Sequence, residues 1–351
     1  MSDAGSGSPG SLMAAEIAEQ PLVIERLTTQ GRAGCLDAAR WVREREPRFV
    51  LLAARGTSDH AALYLKYLVE VRLGLPAGLM SPSTFTAYDA RPDLRDVLVV
   101  ALSQSGGSPD LSRSVEAARA CGATTLALTN DAASPLAAAA DLHLELLAGP
   151  ELAVAATKSY VAELVASWLL VDSWSGGDGS AARGLAETVS RELGRRPEIA
   201  AIADRFRFTD RVVLTGRGYS YPTAREAALK LMETSYVAAH AFSGADLLHG
   251  PLAMIDPDVP VVAVAPEGRG AQALRPVLEL LHARGSDLTV VGGASSLDLA
   301  TASFALDDAV AEELAPVSSI VPLQLLALEM ALARGHDPDR PRGLSKVTRS
   351  V

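Results

Sequence analysis

The sequence predicts an α/β protein made of two tandem copies of a doubly wound parallel sheet flanked by helices. Three observations lead there. Apolar strand-like runs alternate with helical stretches of ten to fifteen residues, the pattern of right-handed βαβ crossovers. The pattern then recurs: RVVLTGRGYS (211–220) resembles FVLLAARGTS (49–58), and PVVAVAPEGRG (260–270) resembles LVVALSQSGGS (98–108). Gly56 and Gly218 are 162 residues apart, and so are Gly106 and Gly268, so a duplication accounts for both matches. Finally, 351 residues suffice for two domains of ordinary size.

In chain order, residues 1–11 are rich in Gly and Ser and are expected to be disordered. Helical patterns cover about 12–27 and 36–45. Strands follow at 49–54, 96–102 and 124–129, with helices opening at Asp59 and Pro109. A long helix is expected over about 156–174, and SGGDGS (175–180) reads as a linker. The expected division is therefore a first domain over 12–180, a second over 181–335 and a C-terminal tail over 336–351.

Composition excludes several classes of function. With 48% hydrophobic and 21% charged residues and a mean hydropathy of +0.18, the chain has the makings of a packed core. A net charge of −10 with no basic stripe argues against a nucleic-acid partner. Two isolated cysteines, Cys35 and Cys121, fit a reducing compartment, and with no signal pattern the expected location is cytoplasmic. The stretch 161–171, taken as the most apolar, is too short to span a bilayer, so no membrane segment is expected. The six histidines, His60, His143, His240, His249, His282 and His336, contain no i,i+4 pair, and no GxGxxG or P-loop occurs. Neither a metal nor a cofactor is expected.

Chemistry concentrates in two places. In an open parallel sheet, ligands lie beyond the carboxyl ends of the strands. RGTSDH (55–60) and SQSGGS (103–108) of the first copy sit there. The second loop opens a helix at Pro109, whose free N–H groups and the nearby hydroxyls make an anion cradle. A plain N-cap and turn would use the same residues. The second copy has APE in place of SQS and carries charges instead. Lys230 and Glu233 are three apart on one helix face, and Glu226 shares it. A solvated ion pair is the ordinary reading of such spacing, yet the surrounding helix is apolar and suits a general base.

Taken together, MAAEIAEQP (13–21), RGTSDHA (55–61), SQSGGSPD (103–110), AGPELAVAATKSY (148–160), GRGYSYPTAREAALKLMETSY (216–236), DLLHGPLAMID (246–256) and PRGLSK (341–346) resemble the sugar isomerase (SIS) family. The resemblance is to the isomerase half of glucosamine-6-phosphate synthase and to SIS-type glucosamine-6-phosphate deaminases. It implies that Thr57, Ser58, Ser103, Gln104, Ser105 and Ser108 hold the phosphate and hydroxyls of a hexosamine 6-phosphate, with Val154 and Ala156 beside its upper carbons. It further implies that Glu233 moves a proton between C1 and C2 and that Lys230 assists. His249 opens the sugar ring, and Lys346 closes over the site and can form a Schiff base with a ketose.

The resemblance has departures. MAAEIAEQP stands at the start, with no glutaminase-type cysteine before it, so glutamine is not expected to donate nitrogen. The family's VAST serine is Ala156, and the tail GLSKVTRSV differs from the synthase-like ending. The expected reaction is conversion of glucosamine 6-phosphate to fructose 6-phosphate and ammonia. Alternatives are an isomerase or dehydratase of the N-acetyl sugar using the same base, or a non-catalytic sugar-phosphate sensor. The resemblance also implies a homodimer that shares His249 across its interface, and the helix over 160–174 reads as too apolar for exposure.

Overall fold

The computed structural model describes residues 8–346. Five strands form the first sheet: β1 (Phe49–Ala53), β2 (Ala77–Leu79), β3 (Val97–Ser103), β4 (Thr124–Thr129) and β5 (Leu142–Glu145). Five more form the second: β6 (Arg211–Gly216), β7 (Ala238–Ser243), β8 (Val261–Ala265), β9 (Leu288–Gly292) and β10 (Ala302–Ala305). The orders are β2-β1-β3-β4-β5 and β10-β9-β8-β6-β7. All pairings are parallel. The two sheets thus have one topology, as a duplication requires. Central strands such as VLVVALS and VVAVA bury both faces, which is why they are nearly continuous runs of Val, Leu and Ala.

In each sheet the chain reverses direction between two adjacent strands, β1 and β3 in one and β6 and β8 in the other. In open parallel sheets such a switch point is where a ligand crevice forms, beyond the carboxyl ends of the strands. The loops there are residues 54–56 and 104–108 in the first sheet, and 217–219 and 266–268 in the second.

Two compact units result, and neither is continuous in sequence. One comprises 22–150 and 158–184; the other comprises 8–21, 151–157 and 185–346. A single cut at residue 180 does not reproduce them. Helix Ser11–Ala18 belongs with the second repeat because the tail caps its start: Asp339 accepts from the N–H groups of Leu12 (2.9 Å) and Met13 (2.8 Å), and Asp337 from that of Gly10 (3.1 Å). Of the Gly/Ser-rich residues 1–11, the first seven lie outside the described residues; the helix begins at Ser11.

Helix Lys158–Trp174 is buried along its length within the chain, packed in its own unit against helices Arg32–Arg43 and Thr57–Leu68. Its apolar surface is therefore already covered and supplies no argument for a dimer. Among the described residues one helix, Ala315–Ala333, is long and apolar enough to cross a membrane. It is 89% buried inside the protein, where it packs against helix Ser220–Ser235.

Candidate functional site

At the first crevice the serines are not equivalent. Ser103, at the end of β3, is buried, and its Oγ accepts from the Gly106 N–H at 3.1 Å. Ser105 Oγ accepts from the Gly107 N–H at 3.2 Å. A hydroxyl that accepts from its own loop keeps its O–H free to donate. Ser108 stands at the N-cap of helix Pro109–Ala120, yet its side chain makes no capping bond. The plain-cap reading therefore fails for Ser108, whose hydroxyl remains available. Gln104 is half-buried, its carbonyl accepting from the Asn130 N–H at 3.1 Å. Gly106 has φ +60°, and a Cβ there would strike Ser134, so the tight turn requires glycine.

On the neighbouring loop Thr57 is half-buried at the first turn of helix Thr57–Leu68. Ser58 departs from expectation. Its Oγ donates to the buried Glu163 Oε1 at 2.6 Å, so its one proton is committed inside the protein. An exposed residue that sequence reasoning passed over stands closer to the crevice chemistry. Arg55 Nε lies 2.9 Å from Oδ2 of the buried Asp110, at the start of the helix that follows Ser108. The guanidinium thus offsets an acid in the first turn of the would-be anion site.

In the other unit, helix Ser220–Ser235 carries the charges. Lys230 Nζ lies 2.5 Å from Glu233 Oε2 and 3.3 Å from Glu226 Oε1. Lys230 and Glu226 have no exposed side-chain surface, while Glu233 retains 21%. This is not a solvated pair. Burial works to lower the Lys230 pKa, but the carboxylates of Glu226 and Glu233 outweigh it and hold the ammonium above its ordinary range. Lys230 is thereby a fixed cation, and Glu233 is the one member of the trio that reaches the surface.

Lys346 is brought to the loop Glu151–Thr157. Its Nζ donates to the Ala153 carbonyl at 2.6 Å and lies 3.3 Å from Glu151 Oε2, while Glu151 Oε1 accepts from the Thr157 N–H at 2.8 Å. Along this loop Glu151, Ala153 and Ala155 are buried, whereas Val154 and Ala156 show part of their surface. Gln324 donates to the Thr157 carbonyl at 3.1 Å and accepts from Gln20. Tyr236, directly after the helix of Glu233, fastens the tail: its hydroxyl accepts from the Arg342 N–H at 2.9 Å, and the Arg342 guanidinium lies 4.0 Å from its ring centre. Sequence reading did not find Tyr236. Residues 347–351 of the expected closing tail lie outside the described residues. His249, after helix Gly244–Leu248, is exposed, and its ring makes no hydrogen bond among the described residues.

The second sheet's counterpart of the serine loop is closed. Glu312 accepts from the N–H groups of Arg269 (3.0 Å) and Gly270 (2.7 Å), the positions 162 residues after Gly107 and Ser108. A carboxylate of the chain itself occupies those donors.

The SIS domain family matches residues 45–173 and 206–334. Among curated proteins, a glutamine–fructose-6-phosphate aminotransferase (isomerizing) from Acidithiobacillus ferridurans is 39% identical over 311 residues, covering 85% of this chain. The chain spans about half the length of such relatives, 51% in that case. Among solved structures, a candidate phosphosugar isomerase from Silicibacter pomeroyi DSS-3 is 35% identical, with a TM-score of 0.84 and coverage of 93% of this chain and 99% of its own. The C-terminal domain of glucosamine-fructose-6-phosphate aminotransferase from Francisella tularensis is 28% identical, also with a TM-score of 0.84, over 96% of this chain and all of that one.

Proposed function

The chain belongs to the SIS domain family, and from that premise we propose that it converts glucosamine 6-phosphate and water to fructose 6-phosphate and ammonia. Glu233 takes the C2 proton of the open-chain sugar and returns it at C1. The resulting C2 imine is hydrolysed, releasing ammonia. The observation that carries this reading is the buried Glu226–Lys230–Glu233 trio, which fixes one partly exposed carboxylate beside a permanent ammonium. Such a charge arrangement on an apolar helix is costly to bury and suits an enolising base with an adjacent cation.

Other groups take the roles that the family resemblance gives them. Ser103, Ser105 and Ser108 donate to the phosphate, with Thr57 and Gln104 on sugar or phosphate oxygens. Ser58 acts through Glu163 rather than as a direct donor. Val154 and Ala156 flank the upper carbons, and Lys346 approaches a ketose carbonyl. His249 serves the ring oxygen of the partner's sugar in a twofold homodimer, a role supported by its exposed and unengaged ring.

The test is incubation with glucosamine 6-phosphate, with ammonia and fructose 6-phosphate both measured. Glu233→Gln should lower turnover by about 10²–10⁴-fold, the usual contribution of a general base. A loss under tenfold would remove Glu233 from the reaction. Mixing inactive His249→Ala and Glu233→Gln chains should restore activity, since one intact site forms per mixed dimer; no restoration contradicts the sharing. A second reading is favoured by Ala156, whose missing hydroxyl leaves room for an acetamido group. Under it, the N-acetyl sugar loses water and the free amine yields no ammonia. Binding of both sugars without turnover would mark a sensor.

A further inference from the structure

The loop that docks Lys346 is also held by a buried acid outside the proposed catalytic set. Glu16, on helix Ser11–Ala18, is 4% exposed. Its Oε1 accepts from the Leu152 N–H and, at 3.3 Å, from the Ala153 N–H; its Oε2 accepts from the same Ala153 N–H at 3.3 Å. Ala153 is also the residue whose carbonyl takes Lys346 Nζ at 2.6 Å. One residue therefore links the two side chains, its N–H turned to the carboxylate and its C=O to the ammonium. Charge-assisted bonds to backbone N–H groups are strong positioning contacts, and holding the N–H groups of Leu152 and Ala153 fixes the segment that leads directly into the Ala153 carbonyl.

We propose that Glu16 is a positioning residue for Lys346: it fixes the backbone immediately before the carbonyl that docks the lysine, and the ionisation of its carboxyl decides how firmly the lysine is held. The inference rests on the reading above only in giving Lys346 a purpose; the docking itself can be tested without substrate.

The surroundings of Glu16 make this ionisation relevant near neutrality. Burial pushes its carboxyl up to about 7, with Glu151 adding to the rise, while the Leu152 and Ala153 N–H groups and Lys346 act against it. Glu151 from the loop and Lys346 from the tail are the charges acting on it. Asp337 and Asp339 bind the opposite end of its helix. Glu19 follows on its own element. The packed helix Ala315–Ala333 brings one charged residue, Glu329, which is paired with Arg196. Above about pH 7 the anion accepts both N–H groups. Below it, the neutral acid is a weaker acceptor and the loop loosens.

The chain has four lysines, Lys66, Lys158, Lys230 and Lys346, and of these Lys158 and Lys230 are buried. Acylation of Lys346 by acetic anhydride, read by mass spectrometry relative to Lys66 in the same molecule, therefore reports the docking. In the wild-type protein the ratio should fall severalfold as pH rises from 6 to 8. Glu16→Gln keeps an acceptor oxygen but cannot titrate; its ratio should stay flat with pH and exceed the wild-type value at pH 8 by about threefold or more. A wild-type ratio that ignores pH, or a Glu16→Gln profile with the wild-type inflection, overturns the proposal. If that variant does not fold, amide exchange of residues 152 and 153 in the wild-type protein decides. Corrected for its intrinsic rate, exchange must slow together with Lys346 labelling as pH rises through about 7; independent behaviour overturns the link. A protein with this labelling pattern but no ammonia release would defeat the proposed reaction and leave the role of Glu16 intact.

Discussion

Replacing the serines of the 103–108 loop one at a time should separate folding from binding. Ser103 Oγ is the acceptor for the Gly106 amide inside a buried turn. Truncating it to alanine strands that N–H, at a cost of about 1–3 kcal/mol in unfolding free energy. Ser108 loses nothing of the kind, since its hydroxyl makes no capping bond; Ser108→Ala should stay within about 0.5 kcal/mol of the wild type. Binding should respond differently. A hydroxyl donating to a charged phosphate contributes about 1.5–3 kcal/mol, so Ser108→Ala should weaken glucosamine 6-phosphate by about 10- to 150-fold. Urea unfolding gives the first quantity and titration calorimetry the second. The reasoning is refuted if Ser108→Ala loses more than about 1 kcal/mol of stability while affinity is unchanged, because the hydroxyl would then be an ordinary cap.

Two further expectations concern groups away from the substrate. Glu192 is buried, both its carboxylate oxygens lack a hydrogen-bond partner among the described residues, and burial pushes its carboxyl up to about 8 against the pull of Arg195. Between its ordinary value of 4.5 and about 8 the folded state keeps a proton that the unfolded state releases, so stability falls as pH rises through that window. Glu192→Gln should therefore be worth about 2–3 kcal/mol at pH 7 and little near pH 4.5, and an equal effect at both pH values in urea unfolding would contradict the assignment. Glu312→Ala should cost about 1–2 kcal/mol, as loss of a helix cap does, with Glu312→Gln recovering part of it; unchanged unfolding in Glu312→Ala would show that the two N–H contacts contribute nothing.

How much of this was legible in the sequence depended on range. The central strands were visible because burial on both faces demands uninterrupted runs such as VLVVALS. The short strands β2, β5 and β10 were not: three or four residues, partly exposed, carry no period. β7, AAHAFS, lacks the β-branched residues that mark a strand. The Lys230–Glu233 pair could be read from its i,i+3 spacing, but the complete burial of Lys230 could not, since its helix packs against helix Ala315–Ala333 from far along the chain. Glu16 escaped notice because its partner peptide lies 136 residues on. Ser58 was misjudged for the same reason, as Glu163 is 105 residues away. Hydroxyl-rich loops announce a donor set, but only the packed structure shows which protons are already spent.

The duplication gives the division of chemistry a physical basis. Both sheets have the same strand order and the same switch point, and in each a helix N-terminus follows a strand at that point, the kind of end that can take an anion. In the second, the Glu312 carboxylate is bonded to the N–H groups of Arg269 and Gly270, and a phosphate arriving there would meet both an occupied donor pair and a like charge. In the first, the N–H of Gly107, 162 residues before Arg269, is bonded to the neutral Ser105 hydroxyl. The charged helix shows the reverse asymmetry. The residues 162 before Glu226, Lys230 and Glu233 are Tyr64, Leu68 and Val71, none of which can carry charge in the neutral range. The SQS serines at 103–105 thus have no counterpart in the second copy, which has APE at 265–267, and the charged trio has none in the first. A second buried trio would have added a further desolvation cost, and Tyr64 and Leu68 at two of the matching positions pack as core instead.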